Sequence, residues 1–448
     1  MTKRVFGLRP SQERDQRRRD RKSNSPETVS DLARLIGFIL SDWRFNSSRT
    51  GDLQCHEFRH DLGVWDKQPT RCIKAFSRTD GFSFHSSQQS ITMVSNYFIT
   101  AALALAATAS AQCGSGTPDA TVDGEEGAYT ASVGGSEVYS GDDYYAAITA
   151  GLDGISSGQR LSIIASGSIG SNVIDIDSGK IFEGCGTIDV QENSGRGNIR
   201  SLGTTDVQIP YLSLTGAPYF GLHFYGVSGL SLGEITMNLS GGIGIRFERD
   251  EAANTDVSMD VINVTGAGSH AVETWNIDGL TINQVIARDV GECGLLIQAT
   301  TNAQIGTVDA ENVAAGTGYA AFRMANQNGR LADGSYETNV FVENVIATGG
   351  GRGVFCVSES GGVEIANVEI SDTENNSILI ENCYGVSILG GTVTGGGEIR
   401  ISARDEFEIT SDVSISLEAN GVTVAENPCG ENITWDISGD ATLDVCSA

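Results

Sequence analysis

Lysine is almost missing from the greater part of this chain. Beyond residue 111 only Lys180 remains, beside eleven arginines. Residues 1–111 carry 17 Lys+Arg and 11 Asp+Glu, a net charge of +6. Taken from the chain totals of 29 and 57, this leaves 12 and 46 for residues 112–448, a net of −34. So acidic a surface repels phosphate backbones, which excludes nucleic-acid partners. Beyond residue 111 zinc spacing is missing too, with no Cys-x-x-Cys and no Cys/His cluster. No Asp-x-Asp-x-Asp loop offers a calcium site. Neither a metal nor any other cofactor is expected.

One apolar run opens at Met93 and reads "MVSNYFITAALALAATASAQCG". It is too short and too rich in small residues to span a bilayer. With Ala109-Ser110-Ala111 at its end, it has the apolar core and cleavage site of a secretory signal, without the usual preceding basic residues. Residues 93–111 are therefore expected to be a signal peptide. The mature protein is expected to be extracellular, secreted and free of the membrane. Residues 1–92 lack periodicity and read as a disordered or over-extended N-terminal piece, or else as a cytosolic tail before a signal anchor. Seven cysteines follow Ala111, so at least one thiol is unpaired. Cys429 and Cys446 close a short terminal loop and are the expected bridge. Sequons at Asn238, Asn263, Asn375 and Asn432 suit a secreted glycoprotein.

From about residue 160 the chain falls into short alternating runs such as "LSLGEITM", "LTINQVIA" and "VEIANVEI". Aligned runs begin at Val207, Leu230, Val257, Leu280, Ala303, Val340, Val363 and Val386, at intervals of 23, 27, 23, 23, 37, 23 and 23. Five equal intervals among seven mark a repeat array. Within a unit the first, third, sixth and eighth positions are mostly small or apolar, as in Leu280, Ile282, Val285 and Ala287. Two short strands with a bend between them bury that set. A third apolar pair follows fifteen and seventeen residues after five of the starts: Leu222/Phe224, Ile245/Phe247, Leu295/Ile297, Phe355/Val357 and Ile378/Ile380. Before the units stand Asp206, Gly229, Asp256, Gly279, Asn302, Asn339, Gly362 and Gly385. Only Gly, Asn and Asp occur there, the residues that tolerate a left-handed corner.

Three strands and a constrained corner per coil predict an all-β solenoid, a parallel β-helix. Helical repeats are excluded by the period of two, and leucine-rich repeats by the missing leucine-and-asparagine signature. The coil length and corner pattern resemble the right-handed, pectin-lyase-like β-helix superfamily over roughly residues 140–425. That resemblance implies a right-handed solenoid. It also implies a polysaccharide partner, since many such proteins are secreted polysaccharide lyases or glycoside hydrolases. Their motifs do not carry over: "EIRIS" at 398–402 lacks the lysine of Arg-Ile-Lys, and "GSHAV" at 268–272 is not Gly-His-Gly. Residues 112–139 read as a lead-in. "SGDDYYAAITAGLDGI" (140–155) reads as a helix capping the open N-terminal end of the 140–425 β-helix, and 426–448 as a C-terminal cap.

Coils stacked about 4.8 Å apart turn the alignment into surface columns. One outward column of the third strand reads His223, Arg246, Glu273, Leu296, Arg323, Cys356, Leu379. The next reads Tyr225, Glu248, Trp275, Gln298, Ala325, Ser358, Glu381. The second strand presents Thr236, Asn263, Ile286, Asp309, Ile346 and Glu369, with no comparable mix of acid, base and aromatic.

Glu273 and Glu248 are diagonal neighbours, roughly 8 Å apart at the α-carbons. That falls within the ~6.5–9.5 Å carboxylate separation of inverting glycosidases. His223 or Tyr225 offers a base for β-elimination instead, with Arg246 neutralising a uronate carboxylate. His270, at the turn entering the strand, is a further catalytic candidate. Trp275 offers a sugar platform flanked by Gln298 and Arg323, and the insertion "NQNGRLADGSYET" (326–338) brings Asn326, Asn328 and Arg330.

Plainer readings stand beside these. An Arg–Glu ladder balances charge on any exposed sheet, His270 serves a turn, Trp275 packs, and the loop is passive. The expectation is a secreted, monomeric, carbohydrate-active enzyme that cleaves a polysaccharide or oligosaccharide. It leans to a lyase over an inverting glycoside hydrolase. The competing class is a non-catalytic carbohydrate-binding β-helix.

Overall fold

Each coil lays down one long bent strand and one short one. The computed structural model describes residues 114–446, apart from 315 and 317. The expected signal peptide and the piece before it lie outside the described residues. Strand Ile277–Arg288 holds both alternating runs of its unit, and Leu295–Gln298 stands apart as the third. Leu280, Ile282, Val285 and Ala287 are buried, while Thr281, Asn283 and Arg288 between and beyond them reach solvent. Parallel pairing follows the expected offsets, running Val257, Leu280, Ala303, Val340, Val363, Val386 from coil to coil. The result is a right-handed parallel β-solenoid of about twelve turns. Its interior is a stack of like residues; Phe224 and Phe247 sit with ring centroids 5.1 Å apart. Burying each such side chain contributes roughly 1.5–3 kcal/mol.

Seven of the eight corner residues are left-handed, with φ from 52° at Asn302 to 84° at Gly279. Asn339 is the exception. It follows the 14-residue lengthening of its coil, so the backbone reaches the next strand without that turn. Its side chain is used instead: Nδ2 donates to the carbonyls of Gly329 and Glu337, both at 2.8 Å, and Oδ1 accepts from the Asn302 N–H at 3.2 Å.

One register expectation is corrected. Arg323 pairs with Phe355, and Phe355 with Leu379, so Phe355 and Val357 face outward. Val354 and Cys356 point into the core, and Cys356 forms a disulfide with Cys383. The turn entering this third strand is one residue shorter than its neighbours. The missing residue returns at Ser358–Glu359, both left-handed, where the pairing slips before Ser360. Two opposite irregularities cancel, which keeps the 23-residue interval and hides the shift from the sequence.

Antiparallel strands Ala120–Glu125, Ala128–Val133 and Ser136–Gly141 precede the helix Tyr144–Asp153. Asp143 caps that helix by accepting from the Ala146 N–H at 3.0 Å, and Tyr144, Ala147, Ile148 and Leu152 bury one face of it. The helix is shorter than the stretch 140–155 because Ser140 and Gly141 belong to a strand. At the other end parallel pairing continues past residue 425 to Asp444. Cys429 and Cys446 are bonded across this last turn. Cys185 is also disulfide-bonded, and Cys293 is a buried free thiol. Among the described residues no helix is long and apolar enough to cross a membrane.

Candidate functional site

Third strands stack Asp175, Arg200, His223, Arg246, Glu273, Leu296, Arg323, Phe355, Leu379 and Arg400 in one outward column. Its centre is Glu273. Oε1 accepts from Trp275 Nε1 at 3.0 Å and from Gln298 Nε2 at 2.9 Å, while Oε2 accepts from Arg246. Asn326 continues the chain of bonds by donating to Gln298 Oε1 at 2.6 Å. Burial works against the charged form of Glu273. His270, Arg246 and the Trp275 N–H outweigh it and hold the carboxyl below its usual range. A carboxylate so held is a poor proton donor.

Arg246 also reaches Glu248, at 3.3 Å, so one guanidinium joins both glutamates. It is therefore committed within the protein. His223 lies between Arg200 and Arg246, its Nε2 3.2 Å from Glu248 Oε1. Burial lowers its pKa against the pull of Glu248, and both ring nitrogens are shut off from solvent without hydrogen-bond geometry. Tyr225 stands beside it, ring centroids 6.1 Å apart. Trp275 is only 8% exposed, with the Arg249 guanidinium 5.6 Å from its ring centroid. The expected sugar platform is thus already covered.

His270 sits in a second cluster. Its Nδ1 accepts from the Cys293 N–H at 3.1 Å, which leaves the proton of the neutral ring on Nε2. That atom lies 3.1 Å from Glu292 Oε2 and 3.8 Å from Glu273 Oε2. Burial is the main force lowering its pKa. Ser269 Oγ donates to Glu292, and the Tyr319 ring lies 5.8 Å from the His270 ring, with Glu292 the first cause of Tyr319's raised pKa.

No family model, curated protein or solved structure matches this chain.

The site therefore rests on its own geometry. The fold is consistent with the pectin-lyase-like superfamily and is typical of carbohydrate-active and carbohydrate-binding proteins in general. Arg323 stands where the alignment put it, opposite Leu296, with its guanidinium 5.9 Å from the Tyr319 ring centroid and 5.2 Å from that of Phe355. Asn328 is fully buried and accepts from the Thr300 N–H at 3.2 Å, so it serves the turn rather than a surface ligand. Arg330 is exposed in the insertion and lines a cavity with Gln327, Leu331 and Asp333. Asn238 and Asn432 are exposed and Asn263 and Asn375 half-buried, all of them off the two third-strand columns.

Sequence reasoning missed Glu292, Tyr319 and Ser269. They lie on turns between second and third strands, where coil lengths vary and alignment assigns no register. Asp175 and Arg200 were missed because their coils precede Val207, the first aligned unit. Their Asp–Arg ion pair lies in the same column, separated from Arg246 and Glu273 by His223.

Proposed function

We propose that the chain is an extracellular enzyme acting on an acidic polysaccharide laid along the third-strand face, cleaving it by β-elimination. The distribution of positive charge carries this reading. Of the twelve cationic residues after 111, all but Arg160, Lys180 and Arg288 lie on third strands or on turns bordering them. In a region with net charge −34, this face holds nine of the twelve cations and so offers a polyanion the positive charge of which the other faces have little. Inverting hydrolysis fits less well. It needs a protonated carboxylic acid opposite a carboxylate base, whereas Glu248 and Glu273 share Arg246 and Glu273 is held ionised. Disulfides at Cys356–Cys383 and Cys429–Cys446 suit an oxidising compartment.

The covered ring of Trp275 and the fully bonded Glu273 favour a second reading, a binding module without turnover. Incubation of the purified protein with panels of acidic and neutral polysaccharides separates the two. Ultraviolet absorbance from unsaturated uronate ends supports the lyase. New reducing ends without that absorbance mean hydrolysis, and glycan binding with no cleavage means a binding module.

A further inference from the structure

Arg323 is a cation without an anion. Among the described residues no carboxylate lies within ion-pair distance of it, and its Nε is buried with no hydrogen-bond partner. Two acids belong to the same neighbourhood, and both are engaged elsewhere. Glu273 is held by Arg246, Trp275 and Gln298. Glu292 is held by Ser269, with His270 Nε2 3.1 Å away. A partly buried guanidinium left uncompensated costs stability, and an incoming carboxylate would remove that cost. Beside it Tyr319 is half-exposed, and the Glu292 side chain keeps 28% of its surface open to solvent.

We infer that Arg323 binds the carboxylate of a uronate, and that Glu292 and Tyr319 are the base and acid that eliminate across its C4–C5 bond. This rests on the lyase reading above and places its chemistry on Glu292, Tyr319 and Arg323 in place of His223, Tyr225 and Arg246. Glu292 takes the proton from C5, and that electron pair becomes the C4=C5 double bond. The C4–O4 bond breaks with its pair on O4, and Tyr319 gives O4 its phenolic proton. Proton exchange through solvent then takes the proton from Glu292 and restores that of Tyr319, so no other reactant is needed. Carboxylate capture by Arg323 spreads the charge that develops at C5. Tyr319, whose pKa lies above the ordinary 10.0, is protonated at neutral pH and has a proton to give.

Substrate stereochemistry follows. Glu292 and Tyr319 both flank His270, the carboxylate 3.1 Å from its Nε2 and the phenol ring 5.8 Å from its ring, so they approach the sugar from one side and H5 and O4 must lie on the same ring face. D-gluco- and D-manno-configured uronates present them so, whereas galacto- and gulo-configured uronates place them on opposite faces.

The test measures ultraviolet-detected cleavage of glucuronan, mannuronan, galacturonan and guluronan by the full chain, and then by Tyr319→Phe, Glu292→Gln and Arg323→Gln. Expected are a preference for the first two polymers, a fall in kcat of about 100-fold or more for Tyr319→Phe and Glu292→Gln, and a rise in KM of about 10-fold for Arg323→Gln. Tyr319→Phe is nearly isosteric and decides the matter if another variant misfolds. A preference for galacturonan or guluronan, or full activity in Tyr319→Phe, overturns the pair while leaving the lyase reading intact. No unsaturated product from any uronan overturns the lyase reading, and this inference with it.

Discussion

Arg246 and Glu273 stand directly opposite each other on adjacent coils, and the guanidinium donates to the carboxylate. The pair is buried enough that neither charge is easily left alone. Glu273→Ala would leave Arg246 with Glu248 alone and strand the Trp275 N–H and the Gln298 amide. We expect a loss of about 3 kcal/mol in urea unfolding. Glu273→Ala and Arg246→Ala together should cost less than the sum of the two single changes, because the pair they share is lost only once. A single-variant loss below about 1 kcal/mol would mean that the pair is only surface balance.

Acid should weaken the fold in two stages. His223 and His270 are held below the ordinary value of 6.5, with burial the main cause. As pH falls through that value the unfolded chain takes up protons that the native protein refuses. Their contribution is therefore complete above 6.5 and declines as pH falls towards their native values. Glu273, held below its ordinary 4.5, adds a later loss, present above that value and gone once its native value is passed. The thermal midpoint should drop between about pH 7.5 and about pH 5.5. His223→Gln should flatten that first decline, and a midpoint that rises over the interval would contradict the assignment.

Corners should respond differently from one another. Asp256 has φ 54°, so Asp256→Ala should cost roughly 1–2 kcal/mol and Asp256→Gly little. Asn339 is not left-handed, and there glycine should be the harmful change, because it removes the bonds to Gly329, Glu337 and Asn302. Denaturant midpoints of the variants check this. Equal effects of glycine at the two positions would contradict it.

Much of this architecture is written in the sequence because a solenoid repeats one local rule. The corner residues and the Leu280-type alternation recur often enough to set coil length, and the whole second-strand column from Thr236 to Glu369 stands in the expected register. The error at Cys356 came from two irregularities that leave the interval unchanged. The site is less legible. Glu273 and Arg246 lie on a column and could be placed. Glu292 and Tyr319 lie on turns of variable length, and only the packed chain brings them beside His270 and Arg323. Burial was also hidden: Trp275 points outward as expected, but the turn carrying Arg249 covers it.

The most direct test of the whole account is the ultraviolet absorbance of glucuronan or mannuronan incubated with the purified protein. The account predicts steadily increasing absorbance from unsaturated uronate ends, lost in Tyr319→Phe. Flat absorbance across all uronans with the wild-type protein would contradict it.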